Sequence, residues 1–261
     1  MSAEFFRSIK LPLSVEQYRQ LPRNAAFKYE LIDGETWLTP RPRWYHAVLD
    51  LKTFDVAADA GQNFLLRPLE TADWDDLPRL FAAAFRTVQP FGSLDEDDRL
   101  GAARHCLERT RSGNDGPLIG RACFAAQARA EAHACGVILL TLVRDVDLAD
   151  PDEHCLWGEP PPADAIERRL GLPHLTWVFV GPWHAGSGLG SALLARAVRE
   201  LLDLGFERLA STFLLGNESS TLWHWRNGFR LLAHPYSTRE LRRRWRGQFE
   251  VAEDAPLSDN H

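Results

Sequence analysis

The sequence predicts a mixed α/β protein of the α+β kind, with a mostly antiparallel central sheet flanked by helices. Three observations lead to this expectation. Residues 176–217 read in order as a strand, a glycine-rich turn, a helix and a second strand. Residues 121–130 and 135–144 are two strand-like runs separated by four residues, which favours an antiparallel pair. Asp33-Gly34 joins two further strand-like runs, the strongest short signal for a β-hairpin.

The stretch from Thr176 to Asn217 is the part around which the rest of the chain is organised. Its first residues, 176–180, are rich in β-branched and aromatic side chains and predict a buried strand. A turn with three glycines follows, and from Ser191 onward apolar residues recur at helical spacing. This arrangement gathers backbone N–H groups at a helix N-terminus. They form an anion site that the glycines allow a phosphate to approach closely.

Two common nucleotide motifs describe this turn poorly. A Walker loop needs Lys and then Ser or Thr after the spaced glycine, and the turn contains no Lys. A dinucleotide fingerprint needs G-x-G-x-x-G and an acidic residue at the end of the next strand. Gly186, Gly188 and Gly190 are instead spaced G-x-G-x-G, and the next strand ends at Gly216-Asn217.

The turn resembles the acyl-CoA-binding motif of the GNAT superfamily of N-acyltransferases, in which Arg/Gln-x-x-Gly-x-Gly/Ala follows a strand. The matching run is Ala185-Gly-Ser-Gly-Leu-Gly190. The second half of the family pattern, an Asn, a helix and then Gly-Phe, matches the run from Asn217 to Phe229. The resemblance implies a GNAT domain over residues 62–248. Two cofactor strands of its sheet splay apart there to admit the pantetheine arm of acetyl-CoA.

The resemblance also implies an activity: an acyl-CoA-dependent N-acyltransferase that moves an acetyl group from acetyl-CoA directly to a primary amine in a ternary complex. The acceptor is expected to be a small-molecule or peptide amine, and no metal is implied. A backbone N–H on the cofactor strand would polarise the thioester carbonyl. The cofactor contacts are expected from Phe179, Val180, Ala185, Gly186, Ser187, Gly188, Leu189, Gly190, Ser191 and Asn217.

The chain departs from the family pattern at two positions. Ala185 stands where the family usually has Arg or Gln, so backbone N–H groups must hold the pyrophosphate. His224 stands where many members have the Tyr that protonates the departing thiolate. We predict His224 as the catalytic acid, because an imidazole titrates at roughly pH 6.5, near working pH. The alternative is that His224 is an ordinary packed histidine between two tryptophans.

No carboxylate lies on the predicted cofactor strand, so the sequence assigns no general base. His174 and Thr176 are the polar candidates on it, and Glu131, His133 and His184 are less well placed. Proximity of the two bound reactants supplies most of the rate in such a transfer, so a missing base does not exclude the activity. A second function class remains open: a catalytically lapsed GNAT-fold protein that binds or regulates without turnover.

Residues 1–61 are expected to form an N-terminal appendage of a helix and a β-hairpin. Ser14 caps the short helix, and Lys28 to Thr39 reads as the hairpin. This stretch resembles the opening of Uma-type restriction-endonuclease-like proteins, which Glu30 and His46 match. The later metal ligands of that family are not found. We therefore interpret the stretch as structural, with a metal-dependent nuclease as a third function class.

The remaining elements complete the predicted domain. Phe85, Pro90 and Phe91 lie in or beside the loop of residues 86–100 and could line the acceptor pocket, although ordinary packing explains them equally. The long acidic and Pro-rich segment of residues 145–172 includes a short helical stretch, Ala163 to Leu170. Further elements are predicted at residues 73–85 (helix), 99–112 (helix), 218–226 (helix) and 229–233 (strand), before a basic segment at 239–246 and a polar tail at 249–261.

Composition limits the classes of partner. The 261 residues are 45% apolar and 25% charged, as in ordinary globular proteins. The net charge of −6 argues against general nucleic-acid binding and suits cationic amines. The four cysteines show no C-x-x-C spacing, and no apolar run approaches the length of a membrane span. We therefore expect a cytoplasmic protein without a membrane partner, and a homodimer is an open possibility.

Overall fold

The computed structural model describes residues 7–22, 27–41, 44–55, 64–129, 133–148 and 155–232. Within these ranges it contains ten strands and five α-helices. The strands are β1 (Ile9–Leu11), β2 (Phe27–Ile32), β3 (Glu35–Pro40), β4 (Trp44–Asp50), β5 (Phe64–Pro68), β6 (Phe124–Ala128), β7 (Ala134–Val143), β8 (Leu172–Val180), β9 (Arg208–Leu214) and β10 (Arg230–Leu231). The helices are α1 (Val15–Arg19), α2 (Asp73–Ala84), α3 (Glu96–Arg111), α4 (Leu189–Asp203) and α5 (Glu218–Arg226).

A seven-stranded sheet in the order β10-β4-β9-β8-β7-β6-β5 forms the centre of the fold. Its neighbouring strands pair antiparallel except β8 and β9, which run parallel. The predicted class, a mixed and mostly antiparallel sheet flanked by helices, is confirmed.

Helices cover both faces of this sheet, and the side chains of strand β7 show which helices lie on which face. Ile138 and Leu140 pack in the core cluster that contains α4, whereas Val137 and Leu139 pack in the cluster that contains α2 and α3. Alternate residues of a strand point to opposite faces, so one fully buried strand can serve both layers. The amphipathic spacing of α4 follows from the same layering, because its apolar stripe faces the sheet.

A bulge in β8 changes the faces to which two consecutive side chains point. The register with β7 shifts between Leu139, which pairs with Trp177, and Leu140, which pairs with Leu175. Thr176 is therefore the extra residue of β8. Its side chain and that of Trp177 lie on the same face as α3, where regular alternation would separate them.

The N-terminal strand β4 belongs to the large sheet. It pairs with β9 along its whole length, from Trp44 with Leu214 to Asp50 with Arg208. Leu49 is buried in the core shared with α4. The expected domain boundary near residue 62 assigned residues 44–50 to the N-terminal appendage, whereas strand β4 lies in the large sheet.

The N-terminal region forms a separate three-stranded sheet in the order β1-β3-β2. The predicted hairpin is the pair β2 and β3, and the predicted helix is α1. The side chain of Ser14 accepts a hydrogen bond from the backbone N–H of Gln17, and the side chain of Gln17 accepts one from the backbone N–H of Ser14. Together these two bonds form the predicted capping box. Asp33 and Gly34 both have positive φ, 52° and 80°, as a two-residue hairpin turn requires.

Some element bounds differ from the sequence prediction. Helix α3 begins at Glu96, three residues early, because Asp95 caps it by accepting the N–H of Asp98 at 2.8 Å. Strand β8 begins at Leu172 rather than at residue 176. The stretch from Ala163 to Leu170, predicted as helical, forms only turns, and Arg169 in it has a φ of 53°. The basic segment at 239–246 and the polar tail lie outside the described residues.

We expect Leu49→Ala to lower the free energy of unfolding by about 2–5 kcal/mol, because it leaves a cavity in the main core. Leu31→Ala is the matched control, since Leu31 lies in the small sheet and is 39% exposed. Urea denaturation of both variants checks this. Equal losses would mean that β4 is not part of the main cooperative core.

Candidate active site

The glycine-rich turn leads directly into α4. Gly186 and Gly188 have φ of 78° and 80°, a left-handed conformation that other residues adopt with strain. The first hydrogen bond of the helix joins the Ala192 N–H to the Gly188 oxygen at 3.0 Å. The N–H groups of residues 189–191 consequently have no acceptor within the helix, and the turn before them is exposed. This is the predicted anion-binding geometry at a helix N-terminus.

The glycines of the turn serve different purposes. A Cβ on Gly186 would meet nothing within 4 Å, so there is open space next to this residue of the turn. A Cβ on Gly190 would lie 3.0 Å from Nε1 of Trp223, so Gly190 allows α5 to pack against α4. Ala185 is exposed and offers no charged group, and the Ser187 hydroxyl donates to the His184 carbonyl oxygen at 2.7 Å.

Strands β8 and β9 separate soon after they begin to pair. Their register includes only His174 with Ala210 and Leu175 with Ser211. Beyond these pairs, β8 remains bonded to β7 and β9 remains bonded to β4, so the two strands leave a gap that opens toward the glycine turn. This agrees with the splayed strands that the sequence predicts. The side chain of Phe179 is buried in the α2–α3 cluster, and its backbone pairs with Val137 of β7.

A cavity of about 250 Å³ lies on the α3 face of the sheet, at the narrow end of this gap. Its walls come from β4, β8 and β9, from α3, and from the segments after α3 and after β7. The lining residues are Trp44, His46, His105, Cys106, Arg109, Asp115, Val143, Cys155, Leu156, His174, Thr176, Trp177 and Thr212. The two polar candidates that the sequence identified on the cofactor strand, His174 and Thr176, are both among them.

Six residues form one hydrogen-bonded chain along the sheet side of this cavity. It joins side chains from β4, β9, β8 and β7 and ends on a backbone carbonyl. The chain runs from His46 Nδ1 to Thr212 Oγ1 (3.0 Å), to His174 Nε2 (3.1 Å), from His174 Nδ1 to Thr176 Oγ1 (3.3 Å), to Thr141 Oγ1 (2.8 Å) and to the Asp115 carbonyl oxygen (2.9 Å).

The carboxylate of Asp115 is engaged on the α3 side of the cavity. Arg109 Nη2 donates to one of its oxygens at 2.9 Å, and the Thr110 hydroxyl donates to the other at 2.8 Å. Trp177 Nε1 in turn donates to Thr110 at 2.9 Å. The negative charge is therefore compensated within the protein, and the cavity presents mainly aromatic and neutral polar surface to a ligand.

His174 is neutral at pH 7 in this setting. Burial, and then the nearby His46, lower its pKa from the usual 6.5 to about 4. A neutral imidazole carries one ring proton, so one nitrogen donates and the other accepts.

His224 is a packed residue, which argues against the predicted role as catalytic acid. It is 2% exposed and stacks on Phe213 at 4.2 Å between ring centres. Its Nδ1 lies 2.7 Å from the Ser220 carbonyl oxygen, which can only accept, so Nδ1 carries the proton. Nε2 therefore accepts the Ser211 hydroxyl at 2.8 Å. Burial lowers the pKa of His224 to about 4, so at neutral pH the ring has no extra proton to give.

The other predicted site residues are dispersed. Asn217 caps α5, with its side chain accepting the Ser220 N–H at 3.0 Å. His133 is exposed and contacts Asp76 at 2.8 Å, and His184 packs edge-on against Phe64. Glu131 lies outside the described residues.

Phe85, Pro90 and Phe91 are packing residues rather than cavity walls. Ring centres of Phe85 and Phe91 lie 4.4 Å and 4.9 Å from that of Phe81, which also contacts Trp177 at 4.9 Å. Pro90 is buried beside them. This aromatic cluster supports the cavity wall from behind.

Sequence reasoning missed the β4, β9 and α3 sides of the cavity. His46 drew attention only through a different resemblance, and Arg109 and Thr212 drew none. The one local signal is the pattern of β4, where Trp44 and His46 alternate with core residues as they would along one face of a strand.

Splayed parallel strands that open toward a helix N-terminus with free backbone N–H groups are a geometry that can accommodate an extended, phosphate-bearing ligand. The family model described as "Acetyltransferase (GNAT) family" matches residues 74–229, more than half of the chain. This protein belongs to that family.

Solved structures of family members show similarity at low sequence identity. A GNAT family acetyltransferase from Brucella melitensis in complex with acetyl-CoA is 18% identical, with a TM-score of 0.41 over 65% of this chain and 87% of the other. PaiA N-acetyltransferase from Thermoplasma acidophilum in complex with coenzyme A is 14% identical, with a TM-score of 0.42 over 64% and 89%. AAC(6')-Iy in complex with the bisubstrate analogue CoA-S-monomethyl-acetylneamine is 18% identical, with a TM-score of 0.38 over 64% and 90%. No curated protein sequence matches the chain.

The resemblance of the N-terminal stretch to Uma-type proteins is not confirmed, and the family match begins only at residue 74. Glu30 bonds to Lys28 and Thr39 on the small sheet, whereas His46 lies in the large sheet. Among the described residues, no three His, Cys, Asp or Glu side chains are grouped as a metal site requires. None of the described helices has both the length and the apolar character needed to cross a membrane.

The buried histidines make stability depend on pH. The pKa of His224 is about 4 in the folded chain and 6.5 in the unfolded chain. Between these pH values the unfolded chain binds a proton at His224 and the folded chain does not. The contribution of the neutral His224 ring to the free energy of unfolding is therefore complete above pH 6.5 and is lost as the pH falls toward 4. We expect His224→Gln to show about 2 kcal/mol less acid destabilisation than the wild type between pH 6.5 and 4.5, by urea denaturation.

His133→Gln is the control for this prediction, because the same substitution there removes an exposed histidine. It should keep the wild-type pH dependence. An identical acid destabilisation in wild type and His224→Gln would contradict the buried, neutral state of His224.

Proposed function

We propose that this protein transfers an acetyl group from acetyl-CoA directly to the primary amine of a small acceptor while both are bound. One observation carries the proposal: the anion-binding turn and the cavity lie at the two ends of the same gap between β8 and β9. A ligand with phosphates at one end and a reactive thioester at the other fits that arrangement.

The phosphate end of acetyl-CoA would bind the N–H groups at the start of α4, where glycines allow close approach. The pantetheine arm would follow the open edges of β8 and β9. From Val180 back to Thr176 is four residues, or about 13 Å of strand. The thioester would thus reach the point where Thr176 and Thr212 face the cavity. The acetyl-CoA and coenzyme A complexes of the Brucella and Thermoplasma proteins support this choice of co-substrate.

The cavity supports a small amine with an apolar or aromatic body as the acceptor. Trp44 and Trp177 provide aromatic faces, on which both an apolar group and an alkylammonium bind favourably. Among the described lining residues the carboxylate is that of Asp115, and it is already paired with Arg109. The related AAC(6')-Iy was captured with an aminoglycoside-like bisubstrate analogue, which supports a small-molecule acceptor as the general kind.

The chemistry needs a neutral amine, a polarised carbonyl and a stabilised thiolate. Entry into a mostly apolar cavity removes water and favours the neutral amine. A backbone N–H on the open edge of β8, near Phe179 or Val180, would stabilise the oxyanion as charge develops there. Holding both reactants at the same gap supplies most of the acceleration.

Calorimetric titration with acetyl-CoA tests the cofactor site. We expect the wild type to bind, and Gly188→Asp to weaken binding by about 100-fold or more, because it places a carboxylate against the pyrophosphate. Gly34→Asp is the matched control: Gly34 has the same φ of 80°, and a Cβ there meets nothing within 4 Å. Equal binding by wild type and Gly188→Asp would show that the pyrophosphate lies elsewhere.

Release of free CoA thiol in the presence of 2-phenylethylamine, tryptamine, spermidine and kanamycin tests turnover and acceptor class. We expect the two arylalkylamines to be acetylated fastest, because their bodies match the aromatic cavity. Binding of acetyl-CoA without transfer to any of the four would favour the alternative, a GNAT-fold protein that binds without turnover.

A further inference from the structure

The segment between β8 and the glycine turn contains a tryptophan that the proposed function leaves unexplained. A short 3₁₀ turn, Pro182–His184, follows β8, and Trp183 in its middle is 94% exposed. Of the large apolar side chains in the described part of the chain, this one is the most exposed. No hydrogen bond or ring contact joins it to another described residue. Its indole is therefore open to a ligand on both faces.

The backbone around Trp183 is held in place although its side chain is not. The N–H of His184 donates to the Gly181 carbonyl oxygen at 2.9 Å, and the His184 carbonyl oxygen accepts the Ser187 hydroxyl at 2.7 Å. The His184 ring packs edge-on against Phe64, with ring centres 5.4 Å apart. Successive residues of a 3₁₀ turn point about 120° apart, so the packing of His184 leaves Trp183 on an outer side of an anchored turn.

The same turn keeps Trp183 close to the expected phosphate site. The Ser187 N–H donates to the His184 carbonyl oxygen at 3.3 Å, and such a turn brings the two Cα atoms within about 7 Å of each other. The Cα atoms of the neighbours Trp183 and His184 are about 3.8 Å apart. The Cα of Trp183 therefore lies within about 11 Å of that of Ser187, the residue before Gly188.

The glycine turn offers a phosphate-bearing ligand little charge. Residues 181–191 include no Lys or Arg, and Ala185 stands where the family usually has Arg or Gln. Backbone N–H groups would bind the pyrophosphate, so a neutral contact elsewhere on the coenzyme adds affinity that the turn lacks. The adenine of CoA is joined to the pyrophosphate by one ribose, and every base has a flat face that stacks on an aromatic side chain.

We propose that Trp183 binds the adenine ring of acetyl-CoA by stacking it on the indole. This inference rests on the proposed function, and it assigns a contact to the part of the coenzyme that the glycine turn does not hold. A tryptophan on a fixed backbone has only two side-chain torsions to order on binding, so little of the stacking free energy is lost. The indole contributes affinity and takes no part in the transfer of the acetyl group.

Trp225 on α5 provides the matched control. It is 69% exposed, the second most exposed of the large apolar side chains described. Trp223 on the same helix lies against α4, because a Cβ on Gly190 would be 3.0 Å from its Nε1. Residues two apart on a helix point about 200° apart, so Trp225 faces away from α4 and from the turn before it.

Calorimetric titration with acetyl-CoA tests the contact. Trp183→Ala should weaken binding by about 10-fold, the usual effect of removing an aromatic side chain from a stacked base. Trp183→Phe keeps a smaller ring and should lose less, and Trp225→Ala should bind as the wild type does. Because Trp183 is exposed, none of these losses should come with a lower unfolding temperature. Wild-type affinity in Trp183→Ala would overturn the inference.

A truncated donor separates lost stacking from damage to the turn. S-acetyl phosphopantetheine lacks the adenosine, and chemical-shift titration measures its binding even where binding is weak. Trp183→Ala should bind it as tightly as the wild type does, because the contact that the variant loses is with adenine. Equal weakening toward both ligands would mean that the substitution disturbs the phosphate site, and it would overturn the stacking.

Nuclear Overhauser contacts in the complex with CoA give a direct readout. We expect contacts between the indole protons of Trp183 and the ring protons of adenine, with assignments taken from the signals that disappear in Trp183→Phe. Adenine protons that contact other residues and not Trp183 would overturn the inference, whatever the affinities.

The outcomes separate two failures. A wild type that does not bind acetyl-CoA overturns the proposed function, and the adenine contact with it. A wild type that binds acetyl-CoA, together with a Trp183→Ala variant of unchanged affinity, overturns the adenine contact alone.

Discussion

The short parallel pairing of β8 and β9 is the constraint on which the rest of this structure depends. Each strand keeps a full antiparallel partner on its outer side, β7 or β4, and together they share only two residue pairs. Their facing edges beyond these pairs present backbone N–H and C=O groups, which cost free energy unless something bonds to them. The amide-containing arm of a coenzyme can act as a strand in such a gap. The splay is thus an incomplete part of the sheet, and it is there that we propose the coenzyme binds.

The packing on both faces keeps this gap in place. The bulge at Thr176 bends β8 and turns Thr176 and Trp177 to the same face. Trp177 and Phe179 then pack edge-on against Phe81, with ring centres 4.9 Å and 5.3 Å apart. Such aromatic contacts hold a geometry more narrowly than aliphatic ones. On the other face, α4 buries its apolar stripe against the same strands, so the turn that precedes it is fixed relative to the gap.

The sequence predicts those parts of the fold whose determinants lie within a few residues of one another. The Ser14 capping box, the Asp33-Gly34 turn and the left-handed glycines before α4 are all of this kind, and all are present. The pairing of β4 with β9 joins residues 166 positions apart, and no local pattern selects that partner. The burial of a residue is also hard to predict from the sequence, because it depends on residues that are distant along the chain. The position of His224 in the family pattern suggests an acid, but only the packing of Phe213 and Ser211 around it shows that the ring is neutral and engaged.

The contribution of β4 changes what the N-terminal region means for function. Had residues 44–50 been an appendage, the cavity would lack Trp44 and His46, and the outer edge of β9 would be unpaired. Instead, one strand completes the sheet, supplies an aromatic wall and connects an imidazole to Thr212. The hydrogen-bonded chain therefore crosses four strands that are distant in sequence, and its direction is set at a backbone carbonyl on the far side, at Asp115. For that reason, the chemistry of this cavity follows from the assembled sheet and not from any single motif.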